Sequence, residues 1–226
     1  MAPDESPKKP RRARALIAGS LAGVLLLVGA FAAGSLSAPV ASAPSTTSVE
    51  AGFARDMQTH HNQAVEMALL IRDRSDDEEL RLLAYDMATA QQQQAGQMYA
   101  WLATWNLSQA DSEPSMTWMS RPPLTGGDAH AGMGMSTSEP ADHEPGGTMP
   151  GMASFEQMAE LRSLTGVEAE KLFLTLMIAH HLGGVEMAEA VLARSNERVV
   201  RSLATSILNS QVSEVEYMRT LLAARQ

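Results

Sequence analysis

The sequence predicts an all-α protein, a four-helix bundle built from two copies of one helical hairpin. Three observations predict it. The segments MQTHHNQAVEMALL (Met57 to Leu70) and MIAHHLGGVEMAEA (Met177 to Ala190) repeat one pattern at a constant shift of 120 residues, His60 against His180. Apolar residues around both recur at spacings of three and four, which places them on one face of a helix. Each copy is then followed by a short polar break and a second periodic stretch, and two hairpins joined by a long crossover make a bundle.

The N-terminus is read as an appendage to this fold. A basic segment, residues 1–14 with Lys8, Lys9, Arg11, Arg12 and Arg14, precedes an uncharged apolar run from Ala15 to Ala33. Residues 15–36 therefore read as a transmembrane anchor or a signal peptide. The run exceeds the usual apolar region of a cleavable signal, about 7–15 residues, and approaches the roughly 20 that span a bilayer. Ala38 and Ala43, the small-residue cleavage candidates, are both followed by Pro, so an uncleaved single-pass anchor is favoured over secretion after cleavage. Positive charge stays on the cytoplasmic side, placing the C-terminal domain outside. Residues 37–49, rich in Ala, Ser, Pro and Thr, form a linker.

The bundle domain is read as residues 50–226. Its first helix runs from Ala51 to about Arg72, and Ser75 with Glu78 reads as the N-cap of a second helix reaching Trp105. The crossover, 108–153, carries Gly, Pro, Ser and Met together with HAGMGM and MPGM; it is too polar and too rich in helix breakers to be a core element. Ser154 with Gln157 starts a short helix to about Ser163. Thr165 with Glu168 then reads as a capping box for the third long helix, which runs to Arg194, and Ser195 as the cap of the fourth. The duplication continues without insertion through Arg74-Ser75 and Arg194-Ser195, Arg81 and Arg201, Leu83-Ala84 and Leu203-Ala204, Gln91 and Gln211, Met98 and Met218, and Leu102 and Leu222.

At about 100° per residue, Phe53, Met57, His60, Ala64, Met67 and Ile71 share one face, with His61 at its edge and Glu66 nearly opposite. Phe173, Met177, His180, Gly184, Met187 and Val191 make the equivalent stripe, with His181 at its edge; Gly184 there permits a close helix approach. On the partner helices Gln91 and Gln94, and in the repeat Gln211 and Glu214, lie among Leu80, Met87, Met98 and Trp101 and their counterparts. Buried amides and carboxylates need partners, and these could orient the histidine rings as outer-shell groups do around a metal.

Composition narrows the chemistry. The chain has 226 residues and a net charge of −9, so it lacks the broad basic surface that nucleic acid requires. It contains no Cys but fifteen Met, against four Phe, three Tyr and three Trp. Disulfides, thiolate metal sites and Cys nucleophiles are thereby excluded. Met is a soft gap-filler on helices, but Met116, Met119, Met133, Met135, Met149 and Met152, with His130 and His143, sit in the crossover, where filling a core is a weaker explanation. Imidazole and thioether ligands suit Cu(I), with His also serving Cu(II) or zinc, so His and Met without Cys point to copper or silver. No phosphate loop or nucleophile elbow is present, which points to a non-enzymatic protein.

The paired HH-x4-EMA segments, the Gln91 and Gln211 helices and the MPGM–short helix–TG–EKLFLTLMIAHH arrangement resemble a bacterial exported family catalogued as the three-hundred-and-fifth domain of unknown function. The resemblance spans about Val49 to Gln226. It implies a ferritin-like four-helix bundle and, since the family includes periplasmic copper-binding and copper-resistance proteins, a copper cofactor. By resemblance the metal ligands fall on His60, His61, His180, His181, Met57, Met67, Met177 and Met187, with Met149 and Met152 as further candidates. The chain departs from the family where Leu176 stands at the position that keeps Asp56 in the first unit. Two other readings stay open: a structural or partner-binding bundle whose His, Gln and Glu network specifies helix register, and a di-iron ferritin-like oxidase. The last is weakened because such sites use Glu-x-x-His and neither His pair has Glu three residues before it.

Overall fold

The computed structural model describes residues 27–29, 43–124 and 144–225. Among these, all regular structure is helical: α1 Val49–Arg74, α2 Glu78–Thr104, a 3-10 turn Thr117–Ser120, α3 Phe155–Ser163, α4 Gly166–Arg194 and α5 Arg198–Ala223. Residues 27–29 are helical, but the rest of the expected anchor at 15–36 lies outside the described residues. No helix among the described residues is long and apolar enough to cross a membrane.

Pro44 onward forms one compact unit in which α1 packs on α2, α4 on α5, and the two hairpins meet through α1 and α4. Its interior is divided into two apolar cores. One joins Ala64, Met67 and Ile71 of α1 to Phe173, Leu174 and Met177 of α4, with Leu80 and Met87 of α2 and Met218 of α5. The other joins Phe53 and Met57 to Met187 and Val191, with Met98, Leu102, Val200 and Ile207. The N-terminal half of α1 thus shares its core with the C-terminal half of α4, so the two helices run antiparallel. Each fully buried Met, Phe or Ile contributes about 1.5–3 kcal/mol of hydrophobic stabilisation.

The helix starts differ from the expected caps. Asp77, not Ser75, caps α2, its carboxylate accepting from Leu80 N at 2.9 Å. Glu197 precedes α5 and Thr165 precedes α4, neither with a side-chain cap. Ser75 and Ser195 are instead buried and tie the hairpins to each other. Ser75 Oγ donates to Glu170 at 2.6 Å, and Ser195 Oγ donates to Glu50 at 2.5 Å. These are the same contact seen twice, since Glu50 and Glu170 are also repeat equivalents. The Ser154–Gln157 capping box forms as expected.

The crossover is not wholly outside the core. Met116, Trp118 and Met119 are buried in the second core, with the Trp118 ring edge-on to Phe53 at 5.7 Å. Asp56 holds this turn: its Oδ2 accepts from Met116 N at 2.7 Å and Trp118 Nε1 at 2.8 Å. Burial raises the Asp56 pKa above the ordinary carboxylate value, opposed by those two bonds. Gly52 makes room, because a Cβ there would lie 2.7 Å from the indole. Leu176, the Asp56 counterpart, is instead buried in the first core.

Candidate metal centre

On each long helix the two apolar cores are separated by polar residues: His60 and His61 on α1, Gln91 and Gln94 on α2, His180 and His181 on α4, Gln211 and Glu214 on α5. The helix periodicity and the duplication therefore place all four histidines in one layer across the middle of the bundle. All four are 0% exposed. His60 and His180 face each other across the α1–α4 contact with ring centroids 3.7 Å apart and planes at 35°. His61 and His181 flank them, each 6.4 Å from its chain neighbour.

Second-layer contacts repeat with the duplication. His61 Nε2 lies 2.7 Å from Gln94 Oε1, and His181 Nε2 lies 2.7 Å from Glu214 Oε2. His60 Nε2 is 3.0 Å from the carbonyl oxygen of Pro150. The Nδ1 atoms of His60, His61 and His181, both ring nitrogens of His180, and both amide atoms of Gln91 and Gln211 are buried without a hydrogen-bond partner. Burial disfavours the imidazolium, lowering His60 to about 4 and His61 to about 3, and His180 falls well below its ordinary value for the same reason, helped by the adjacent rings. These three rings are neutral at pH 7, the form in which a ring nitrogen can bind a metal.

The MPGM loop closes one side of the layer. Besides the Pro150–His60 contact, Gln63 brackets Ala153, its amide nitrogen donating to Ala153 O at 2.9 Å and its oxygen accepting from Ala153 N at 2.8 Å. Gly151 adopts a positive φ of 70°, and a Cβ there would meet Ala179 O at 2.2 Å; a Cβ on Gly183 would meet Pro150 O at 2.1 Å. Met149 and Met152 on either side are half-buried, Met149 against the second core. At Gly184 the missing Cβ leaves room for the Gln211 amide of the neighbouring helix α5, whose oxygen would be 2.3 Å away.

The histidines are thus brought together, while the four helical methionines are split between the cores: Met57 and Met187 on one side of the layer, Met67 and Met177 on the other, all fully buried. His130, His143, Met133 and Met135 lie outside the described residues. Glu66 is exposed and pairs with Arg162 of α3, as its position opposite Met57 suggests; Glu186 is half-buried. Among the described residues no three His, Asp or Glu side chains are grouped as a metal ion requires. An ion in this layer would therefore draw on thioether, amide or backbone donors beside imidazole. The unpaired imidazole nitrogens, with methionines in the core on each side of the layer, are the donor types that suit a soft ion.

Gln63, Gly151 and Gly183 were not singled out by sequence reasoning. The signal was present in the repeat: Gln63 aligns with Gly183, and such a difference between copies marks where a single loop breaks the symmetry.

Fold and site together define an all-α duplicated bundle with a buried histidine layer. The chain belongs to the family described as domain of unknown function (DUF305), whose model matches residues 50–222. A DUF305 protein from Streptomyces coelicolor, assigned as secreted, is similar at 42% identity and a TM-score of 0.67, over 80% of this chain and 96% of that one. A DUF305 fragment from Deinococcus radiodurans is similar at 30% identity and a TM-score of 0.59, over 80% and 99%. CopM in its Cu(I)-bound form shares the fold at 18% identity and a TM-score of 0.53, over 77% and 96%. No curated protein is significantly similar to the chain.

Proposed function

We propose that this is an exported, non-enzymatic metal-binding protein, a ferritin-like bundle that buffers or sequesters copper through its histidines and methionines. The observation that carries the reading is the layer of four fully buried imidazoles in which every Nδ1 lacks a partner. Each buried polar atom left unpaired costs about 1–3 kcal/mol, and a bound ion would recover that cost. His60, His61, His180 and His181 are the proposed ligands, with Met57, Met67, Met177 and Met187 from the cores and Met149 and Met152 from the loop supplying thioethers. Bound copper would supply coordination and no further chemistry. CopM structures carry Cu(I), Cu(II) and silver, which supports copper as the metal for the shared fold. The secreted assignment of the Streptomyces protein supports export; the apolar segment at 15–36 supports a membrane tether, with the bundle outside the cytoplasm.

A competition titration of the full chain in detergent with Cu(I) tests this reading. Binding should be lost in a variant with all four histidines changed to Asn whose helical circular dichroism is intact; equal binding by both proteins would refute the site. A second reading, a register-specifying network without metal, is favoured by the repeated His61–Gln94 and His181–Glu214 bonds. It predicts that copper leaves thermal stability unchanged.

A further inference from the structure

We propose that Nδ1 is the metal-facing nitrogen of His60, His61 and His181, and that the Pro150 carbonyl, Gln94 and Glu214 are the groups that make it so. This rests on the layer being a copper site and names the atom, the tautomer and the positioning residues of that site.

A neutral imidazole carries one N–H and one lone pair, and the hydrogen bond made by one nitrogen decides the role of the other. Carbonyl and carboxylate oxygens only accept. His60 Nε2 therefore donates to Pro150 O at 3.0 Å, His61 Nε2 to Gln94 Oε1 at 2.7 Å and His181 Nε2 to Glu214 Oε2 at 2.7 Å. Each bond leaves a bare lone pair on Nδ1, and each of these Nδ1 atoms is buried with no partner. An imidazolium would instead bury a second N–H with no acceptor.

The pattern is more than a local accident. The three acceptors come from different elements: the MPGM loop, α2 and α5. They converge on the same ring nitrogen and leave the same nitrogen bare in both repeats. A network serving only to fix register would use both nitrogens of a buried ring, since every unused one has a cost. One nitrogen held and the other left open is the arrangement in which outer groups orient a metal ligand.

The repeats are not equal in this respect. Glu214 places a carboxylate where Gln94 places an amide, and a carboxylate behind an imidazole raises its basicity as a ligand. His181 is therefore the stronger donor of the two flanking rings. His180 has no acceptor comparable to Pro150 O, Gln94 Oε1 or Glu214 Oε2.

The test uses the full chain in detergent micelles, labelled with nitrogen-15 histidine, in long-range proton–nitrogen spectra at pH 7. Without metal, His60, His61 and His181 should show Nε2–H and an unprotonated Nδ1, and Cu(I) should move the Nδ1 resonances. Glu214→Leu should release the His181 tautomer and weaken Cu(I) binding about 10–100-fold, while Glu214→Gln, which keeps an acceptor oxygen, should restore the tautomer and most of the affinity. Gln94→Glu should bring His61 into line with His181. Rings found as Nδ1–H, or Cu(I) shifts confined to Nε2, would overturn the proposal while leaving copper binding intact. Correct tautomers with no ring moved by Cu(I) would overturn the copper reading and, with it, Nδ1 as a metal-facing atom.

Discussion

Gly183→Ala is expected to destabilise the protein even though it improves a helix. In the interior of α4, alanine gains about 1 kcal/mol over glycine in helix propensity. Opposing this, the new Cβ would stand 2.1 Å from Pro150 O and 2.9 Å from Gly151 N. The contacted atoms are backbone, so the loop itself must shift. Forced repacking of this kind costs about 1–3 kcal/mol. Displacing Pro150 also removes the acceptor of His60 Nε2, a further loss of about 0.5–1.5 kcal/mol. The net is a loss of roughly 0.5–3.5 kcal/mol from these terms. For a domain of this size that lowers Tm by about 2–4 °C per kcal/mol. Gly96→Ala in α2 is the control, because a Cβ there meets nothing within 4 Å; it should raise stability by about 0.5–1 kcal/mol. Thermal melts by circular dichroism read both. If Gly183→Ala melts at or above the temperature of the parent, as Gly96→Ala should, the loop is not seated on α4 as described.

Asp56→Ala leaves the Met116 amide and the Trp118 indole N–H buried without an acceptor, about 1–3 kcal/mol each; the melt should drop and indole emission should shift to the red, whereas an unchanged spectrum would show that Asp56 does not hold the turn. Gln91→Leu removes two buried unpaired amide atoms, so metal-free stability should hold or rise, and a large fall would reveal partners for that amide. Lowering the pH from about 7 to about 4 should destabilise the metal-free protein. The unfolded chain takes up protons near 6.5, whereas folded His60 does so only at about 4 and His61 at about 3. The stability of these groups is therefore complete above pH 6.5 and is lost as pH falls toward the folded values. Asp56, whose pKa is raised, works in the opposite direction as a single group. A melting temperature flat across that range would refute the buried neutral rings.

Much of this architecture was legible because duplication doubles every weak signal. One histidine on an apolar face says little; His60-His61 and His180-His181 at one shift, with Gln94 and Glu214 at the same shift, mark a pseudo-symmetric set of polar groups on buried faces, and the two cores of the fold turn that set into a layer. Helix faces follow from the 3.6-residue period, which puts Phe53, Met57, Ile71 and their counterparts in the interior. The caps are less legible. Ser75 and Ser195 look like N-caps by local chemistry, but tertiary contacts with Glu170 and Glu50 claim their hydroxyls, and Asp77 takes the cap two residues on. The crossover was harder still. Its composition argues for a loop, yet Asp56 and Gly52 on α1 prepare a seat for Trp118, and no periodicity within the crossover could show that. The Pro150 contact with His60 joins residues 90 apart in sequence, beyond the reach of any local pattern.

The proposed copper site lies in the layer between the two cores. Crystals of the full chain grown with Cu(I), with anomalous differences collected at the copper edge, locate the ion directly. A peak is expected within bonding distance of the ring nitrogens of His60 and His180 or of the rings flanking them. Peaks confined to surface methionines or to the crossover, with the four imidazoles unliganded, would contradict it.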